Sequence, residues 1–138
     1  MGPKKNGRRP QSATSANVAF LPLWFSLFAG LLGAQSLDYH SYKTTVEPIF
    51  LKYGVDVVLS GHDHVYERIK PQKGIYYFVS GAGGKLRTGD VEKDSGITEK
   101  SYDRDLHFML FEVDGNQMYF QAISRTGETI DSGVINRK

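Results

Sequence analysis

The chain has no cysteine among its 138 residues, which rules out a disulfide framework and a thiolate metal site alike. Any metal must be held by histidine, carboxylate, amide or water, so the four histidines become the residues to follow. Acidic side chains are also missing from the whole amino-terminal stretch. None precedes Asp38, whereas Lys4, Lys5, Arg8 and Arg9 all lie there. The formal net charge of +2 is therefore a property of that leader. Without residues 1–36 the chain keeps 13 basic and 15 acidic residues, a balance with no electrostatic case for a nucleic-acid partner, which wants a clustered basic face. The length suits one domain with a real core and not two.

Residues 1–36 are laid out as a basic stretch, a polar Ser/Thr/Asn stretch and an apolar run from Val18 to Gly33 broken by Pro22 and Ser26. Ala34-Gln35-Ser36 then places small residues at the spacing a signal peptidase accepts, the layout of a secretory leader. The run is a little short for a membrane span, which needs about 20 apolar residues. The expectation is a secreted or periplasmic protein, with anchoring through residues 18–34 as the alternative; a third possibility is translated sequence without a targeting role. Residues 37–138 form the remaining unit.

Within that unit, Tyr42, Val46, Ile49, Phe50 and Tyr53 fall at three- and four-residue spacings, which predicts an amphipathic helix over Ser41 to Tyr53. Pro48 places its well-formed turns after Val46, and Gly54 stops it. Val55 to Leu59 is a short β-branched apolar run, the pattern of a strand buried on both faces. Ile75 to Val79 repeats it and ends in Ser80-Gly81-Ala82-Gly83-Gly84. Lys85 to Arg104 is polar and reads as a long surface loop. Leu106 to Val113 and Met118 to Ser124 flank the hairpin signal Asp114-Gly115-Asn116, and Arg125-Thr126-Gly127-Glu128 turns into Thr129 to Ile135. The class is thus mixed α/β: helix and buried strands followed by an antiparallel meander. Leu106, Phe108 and Leu110 on one face of its first strand, with Met109, Phe111 and Val113 on the other, call for cover on both sides.

Chemistry concentrates at Ser60-Gly61-His62-Asp63-His64, where a buried strand gives way to a loop. Ligands belong at the carboxyl ends of strands in an open α/β sheet. Two imidazoles separated by one residue can address two metal ions about 3.5–4 Å apart, the spacing of binuclear hydrolytic sites. The bare Gly-His-x-His pattern is weak. The longer string Tyr53-Gly54-Val55-Asp56-Val57-Val58-Leu59-Ser60-Gly61-His62-Asp63-His64-Val65-Tyr66-Glu67-Arg68 resembles the last metal-binding motif of the calcineurin-like metallophosphoesterases, close to their purple-acid-phosphatase branch. Phe78-Val79-Ser80-Gly81-Ala82-Gly83-Gly84 is similar to the strand and glycine loop that follow it, and the resemblance runs from about Thr45 to Ile135.

That resemblance implies part of an αββα sandwich, a binuclear Fe, Mn or Zn centre, and metal-dependent hydrolysis of phosphate esters. It makes His62 a ligand of the second metal and His64 a ligand of the first. Asp63, at the motif's variable position, is expected to hydrogen-bond or face solvent, and Tyr66, Glu67 and Arg68 to support the structure. Gly83, Gly84, Lys85 and Arg87 are candidates for binding the substrate's anionic group through backbone N–H groups and cations.

The family's Asp-x-His, Gly-Asp and Gly-Asn-His motifs do not precede His62, and two histidines alone cannot hold two metals. Three imitations exist. Asp105-Leu106-His107 spells the first motif but follows the histidines within a strand, where a structural role is expected. Gly89-Asp90 with Asp94 copies the second at the wrong spacing, and His40 stands upstream with unmatched neighbours. The enzyme reading therefore carries an alternative: a non-catalytic half-domain that binds metal weakly, is complemented by another chain, or associates with itself. A third outcome is the product of a truncated gene with no function of its own.

Overall fold

The computed structural model describes residues 18–20, 42–89, 91 and 96–137. A π-helical turn (Tyr42–Val46) runs into the helix α1 (Glu47–Lys52). Pro48 sits in the first α-turn, where its missing N–H costs nothing. Beyond Tyr53 the Val55 N–H reaches back to the Phe50 carbonyl at 3.0 Å and the Gly54 N–H to the Leu51 carbonyl at 3.3 Å. This paired pattern is a Schellman stop, closed by Gly54 at φ +63°. A helix is thus present where one was expected, with its regular turns starting at Glu47, but the predicted apolar face is not buried: Ile49 is 51% and Tyr53 66% exposed, and the buried residue of α1 is Glu47.

Two sheets follow. The first contains β1 (Val18–Phe20), β2 (Val57–Ser60), β3 (Tyr66–Gln72), β4 (Ile75–Ser80) and β5 (Thr98–Tyr102), in the order β1-β2-β4-β3-β5. The second is the meander β6 (His107–Asp114), β7 (Gln117–Ser124) and β8 (Thr129–Asn136). β2 lies parallel to both β1 and β4, and β3 pairs antiparallel with β4 and β5. One face of the first sheet receives the helical segment, where the Tyr42 ring meets Tyr77 edge-on at 6.0 Å. The other face packs on the meander: Val57, Tyr66 and Phe78 meet Met118, Phe120, Ala122, Ile130 and Ile135.

Three strands depart from the sequence expectation. β5 lies inside the span expected to be loop, and β3 was not anticipated. Both are largely polar and owe their form to backbone pairing, with no alternating apolar pattern to announce it. The β3–β4 turn is Lys73-Gly74, with φ of 51° and 83°, the left-handed pair that a two-residue type I′ hairpin demands. β1 falls within the apolar stretch assigned to the leader. Removal of residues 1–36 would take it away and bare the edge of β2. The rest of that leader lies outside the described residues.

Two polar ties hold the layers in place. Glu47, 1% exposed, accepts from Lys43 at 2.6 Å and from Lys73 at 2.8 Å, joining α1 to the β3–β4 turn. The Lys43 hydrogen bond, then that of Lys73, holds its carboxyl below the usual range. Between the sheets, Arg68 donates to Asp131 through Nε at 2.7 Å and Nη2 at 3.3 Å, and the Tyr66 hydroxyl adds a third bond at 2.8 Å. Burial pushes the Asp131 carboxyl upward, but the bonds from Arg68 and Tyr66 together outweigh it and leave its pKa depressed.

The cover expected on both faces of the meander is found on one: its outer face has none among the described residues, with Phe108 55% and Leu110 53% exposed and Tyr119 and Val134 beside them. The inward residues of β6 are His107, Met109 and Phe111, so the two-sided apolar character read from the sequence is real.

Because Asp131 binds its proton less readily when folded, its stabilisation is complete above the unfolded carboxylate range near pH ~4. It is lost as pH falls through the depressed folded value. Asp131→Asn is expected to cost about 2 kcal/mol at neutral pH, and to flatten the acid limb of a urea-melt stability profile between about pH 5 and pH 2. An unchanged acid limb would remove Asp131 as the inter-sheet tie. The outer face predicts concentration-dependent association, reduced by Leu110→Lys. Sedimentation that gives a monomer at every concentration for the parent chain would contradict this.

Candidate functional site

β2 and β4 are parallel neighbours, so their carboxyl ends open on the same edge of the sheet. The loop of residues 61–65 leaves β2 there, and the glycine loop starting at Gly81 leaves β4 beside it. Ser60 Oγ donates to the Phe78 carbonyl at 3.1 Å and fastens the last residue of β2 to its neighbour. The Gly81 N–H donates to the Val65 carbonyl at 3.2 Å, and the Arg87 N–H to the His64 carbonyl at 3.0 Å. The histidine loop is thereby clasped by the glycine loop at two points.

Between these points the backbones nearly touch. A Cβ on Gly81 would lie 2.2 Å from the Asp63 carbonyl oxygen and 3.1 Å from the His62 nitrogen. No side chain larger than hydrogen fits. His62 itself adopts φ +80°, left-handed backbone that glycine accepts freely and an imidazole-bearing residue does not. Such a conformation costs on the order of 1 kcal/mol and persists because its surroundings enforce it.

His62 and Asp63 are exposed, and His64 is half-buried. The Nδ1 of His64 is fully buried and, among the described residues, has no hydrogen-bond partner, a condition it shares with the Nδ1 of His107. A buried imidazole nitrogen without a partner is costly, and metal coordination is one way to satisfy it. Among the described residues, however, no group of three His, Asp or Glu side chains comes together. The two histidines suit part of a metal centre and do not complete one.

The neighbouring residues sort differently. Tyr66 and Arg68 serve the inter-sheet tie, and Glu67 accepts from the Thr98 hydroxyl across to β5. Lys85 and Arg87 are exposed on the glycine loop, as are Gly83 and Gly84. Neither Gly83 nor Gly84 has a positive φ, so this loop lacks the alternating-handed backbone of an anion nest. Of the imitation motifs, Asp90 and Asp94 lie outside the described residues, as does His40. His107 is buried at 3% exposure with its Nε2 3.1 Å from Ser80 Oγ. Sequence reasoning placed it on a strand in a structural role and had no means to see that this strand abuts the site.

The solved structures most informative for this arrangement are two. The chain superimposes with TM-score 0.63 on GAP50, the anchor in the inner membrane complex of Plasmodium, at 22% identity over 72% of this chain and 31% of that one. It superimposes with TM-score 0.59 on purple acid phosphatase PPD1 from yellow lupin (Lupinus luteus) seeds, at 21% identity over 78% of this chain and 20% of that one. The fold is metallophosphoesterase-like. In sequence, 44 residues are 39% identical to tartrate-resistant acid phosphatase type 5 of Oryctolagus cuniculus, covering 32% of this chain and 14% of that protein. The chain thus spans less than a third of each of these proteins. No protein-family model matches it.

Gly81→Ala tests the clasp. The added methyl must displace the 62–63 peptide, with an expected loss of about 1–3 kcal/mol in a denaturant melt. Amide shifts in an NMR spectrum should concentrate at His62, Asp63 and Val65. Shifts spread evenly over the meander would show that the close approach is not what fixes this loop.

Proposed function

We propose that this chain carries the histidine-loop portion of a metal-dependent phosphate-ester hydrolase, with His62 and His64 as metal ligands. The observation that carries the reading is the buried, unpartnered Nδ1 of His64, on a loop clasped between the ends of two parallel strands. The metallophosphoesterase-like fold and the sequence likeness to an acid phosphatase support it. Fe, Mn or Zn suits imidazole donors. Two imidazoles cannot hold a pair of such ions, so hydrolysis belongs to an assembly in which further ligands join them; the chain by itself is expected to be inactive. The exposed Lys85 and Arg87, with Gly83 and Gly84 on the same loop, are the groups we propose to meet a substrate's anionic group in that assembly.

A second reading is a non-catalytic half-domain that binds a partner. The uncovered outer face of the meander favours it, as does the likeness to a protein described as an anchor. Export or membrane attachment through residues 18–34 remains part of the proposal, carried by composition. Among the described residues no helix is long and apolar enough to cross a membrane.

Calorimetric titration of the chain with Zn²⁺ or Mn²⁺ tests the first reading. Weak binding is expected, and His64→Ala should reduce it at least about tenfold, the loss of one of very few donors. His62→Gly should do the same while stabilising or sparing the fold, because glycine accepts the φ of +80° without a Cβ clash. Binding that survives both substitutions would remove the loop from consideration, and turnover of p-nitrophenyl phosphate by the isolated chain would show that the donor set is larger than two.

A further inference from the structure

We propose that His107, on the second sheet, is a positioning residue for the histidine loop, acting through Ser80 and Tyr66. The inference rests on the reading of residues 61–65 as the functional loop and concerns what sets its geometry.

His107 opens β6 and points inward, in the row continued by Met109 and Phe111. Those two are apolar, as the inter-sheet core asks. A histidine at the end of the row nearest the site is therefore a departure that packing alone does not explain, since burying a polar ring is costly unless it is bonded. Its Nε2 lies 3.1 Å from Ser80 Oγ while its Nδ1 is buried without a partner among the described residues, its backbone N–H donates to the Ala82 carbonyl at 3.3 Å, and its ring meets Tyr66 edge-on at 5.6 Å.

These contacts fall on the roots of both loops. Ser80 is the last residue of β4 before the glycine loop, and Tyr66 is the first residue of β3 after the histidine loop. The two are cross-strand partners. Ser80 is bonded in sequence to Gly81, whose α-carbon backs against the His62–Asp63 peptide with no room for a methyl group. A continuous set of contacts thus leads from the second sheet, through the imidazole and the serine hydroxyl, to the backbone that carries His62 and His64. Tyr66 is held in turn by Asp131, so both roots are set from the meander. Burial lowers the His107 pKa, an effect the Asp105 backbone only partly opposes, and the ring is a neutral donor–acceptor at physiological pH.

The test uses the full chain and needs no metal. Hydrogen exchange is followed at the Gly81 and Arg87 amides, which bond to the Val65 and His64 carbonyls, with the Ala122 amide in the meander as the internal reference. His107→Phe keeps the ring volume and removes the bond to Ser80; exchange at Gly81 and Arg87 should rise about tenfold, the weight of one buried hydrogen bond, while Ala122 holds. His107→Gln, whose amide can reach Ser80, should restore protection. If His107→Phe does not fold, Ser80→Ala removes the same bond with a smaller change and should give the same pattern. Wild-type protection at Gly81 and Arg87 in these variants, or a loss that Ala122 shares equally, overturns the proposal. Selective loss in a chain that binds no zinc upholds the positioning role while the metal reading falls.

Discussion

The parallel pairing of β2 with β4 is the constraint from which the site follows. Parallel neighbours send their carboxyl ends to the same edge, so the two loops that leave them must share a narrow space. That crowding allows no side chain at Gly81 and forces His62 into left-handed backbone. It also leaves one nitrogen of His64 sealed from water. Had β2 and β4 run antiparallel, the histidines and the glycine loop would have emerged at opposite ends of the sheet.

Much of the architecture was legible along the chain. The helix stop at Gly54, the buried strands β2 and β4, and the hairpins around Gly115-Asn116 and Gly127 each depend on local pattern, and each is present. The strands β3 and β5 were not legible, because Glu67, Arg68, Lys70, Glu99 and Lys100 show no apolar alternation; their pairing with β4 and with one another makes them strands. In the site, the place of His62 and His64 at a strand end could be read from Val57 to Ser60. The close approach of Gly81 to Asp63 could not, being a contact across 18 positions that leaves no mark on either segment. Nothing along the chain marks Glu47, which is buried between two lysines, one of them 26 positions away on the β3–β4 turn.

The fold also separates two kinds of burden. The first sheet carries the polar loops on its edge, and the second supplies apolar area on one face and the anchoring groups Asp131 and His107. Arg68 contributes at both levels, pairing with Asp131 and lying over the Phe120 ring at 5.7 Å. Inter-sheet adhesion is therefore both greasy and ionic, and the ionic part clusters toward the loop end of the sandwich.

The left-handed backbone at His62 sets two demands against each other. Glycine or asparagine would rest more easily there, so thermodynamic stability and the retention of an imidazole pull in opposite directions at one residue. A sequence optimised for durability alone would discard the histidine early. Its imidazole is present there at the expense of folding energy.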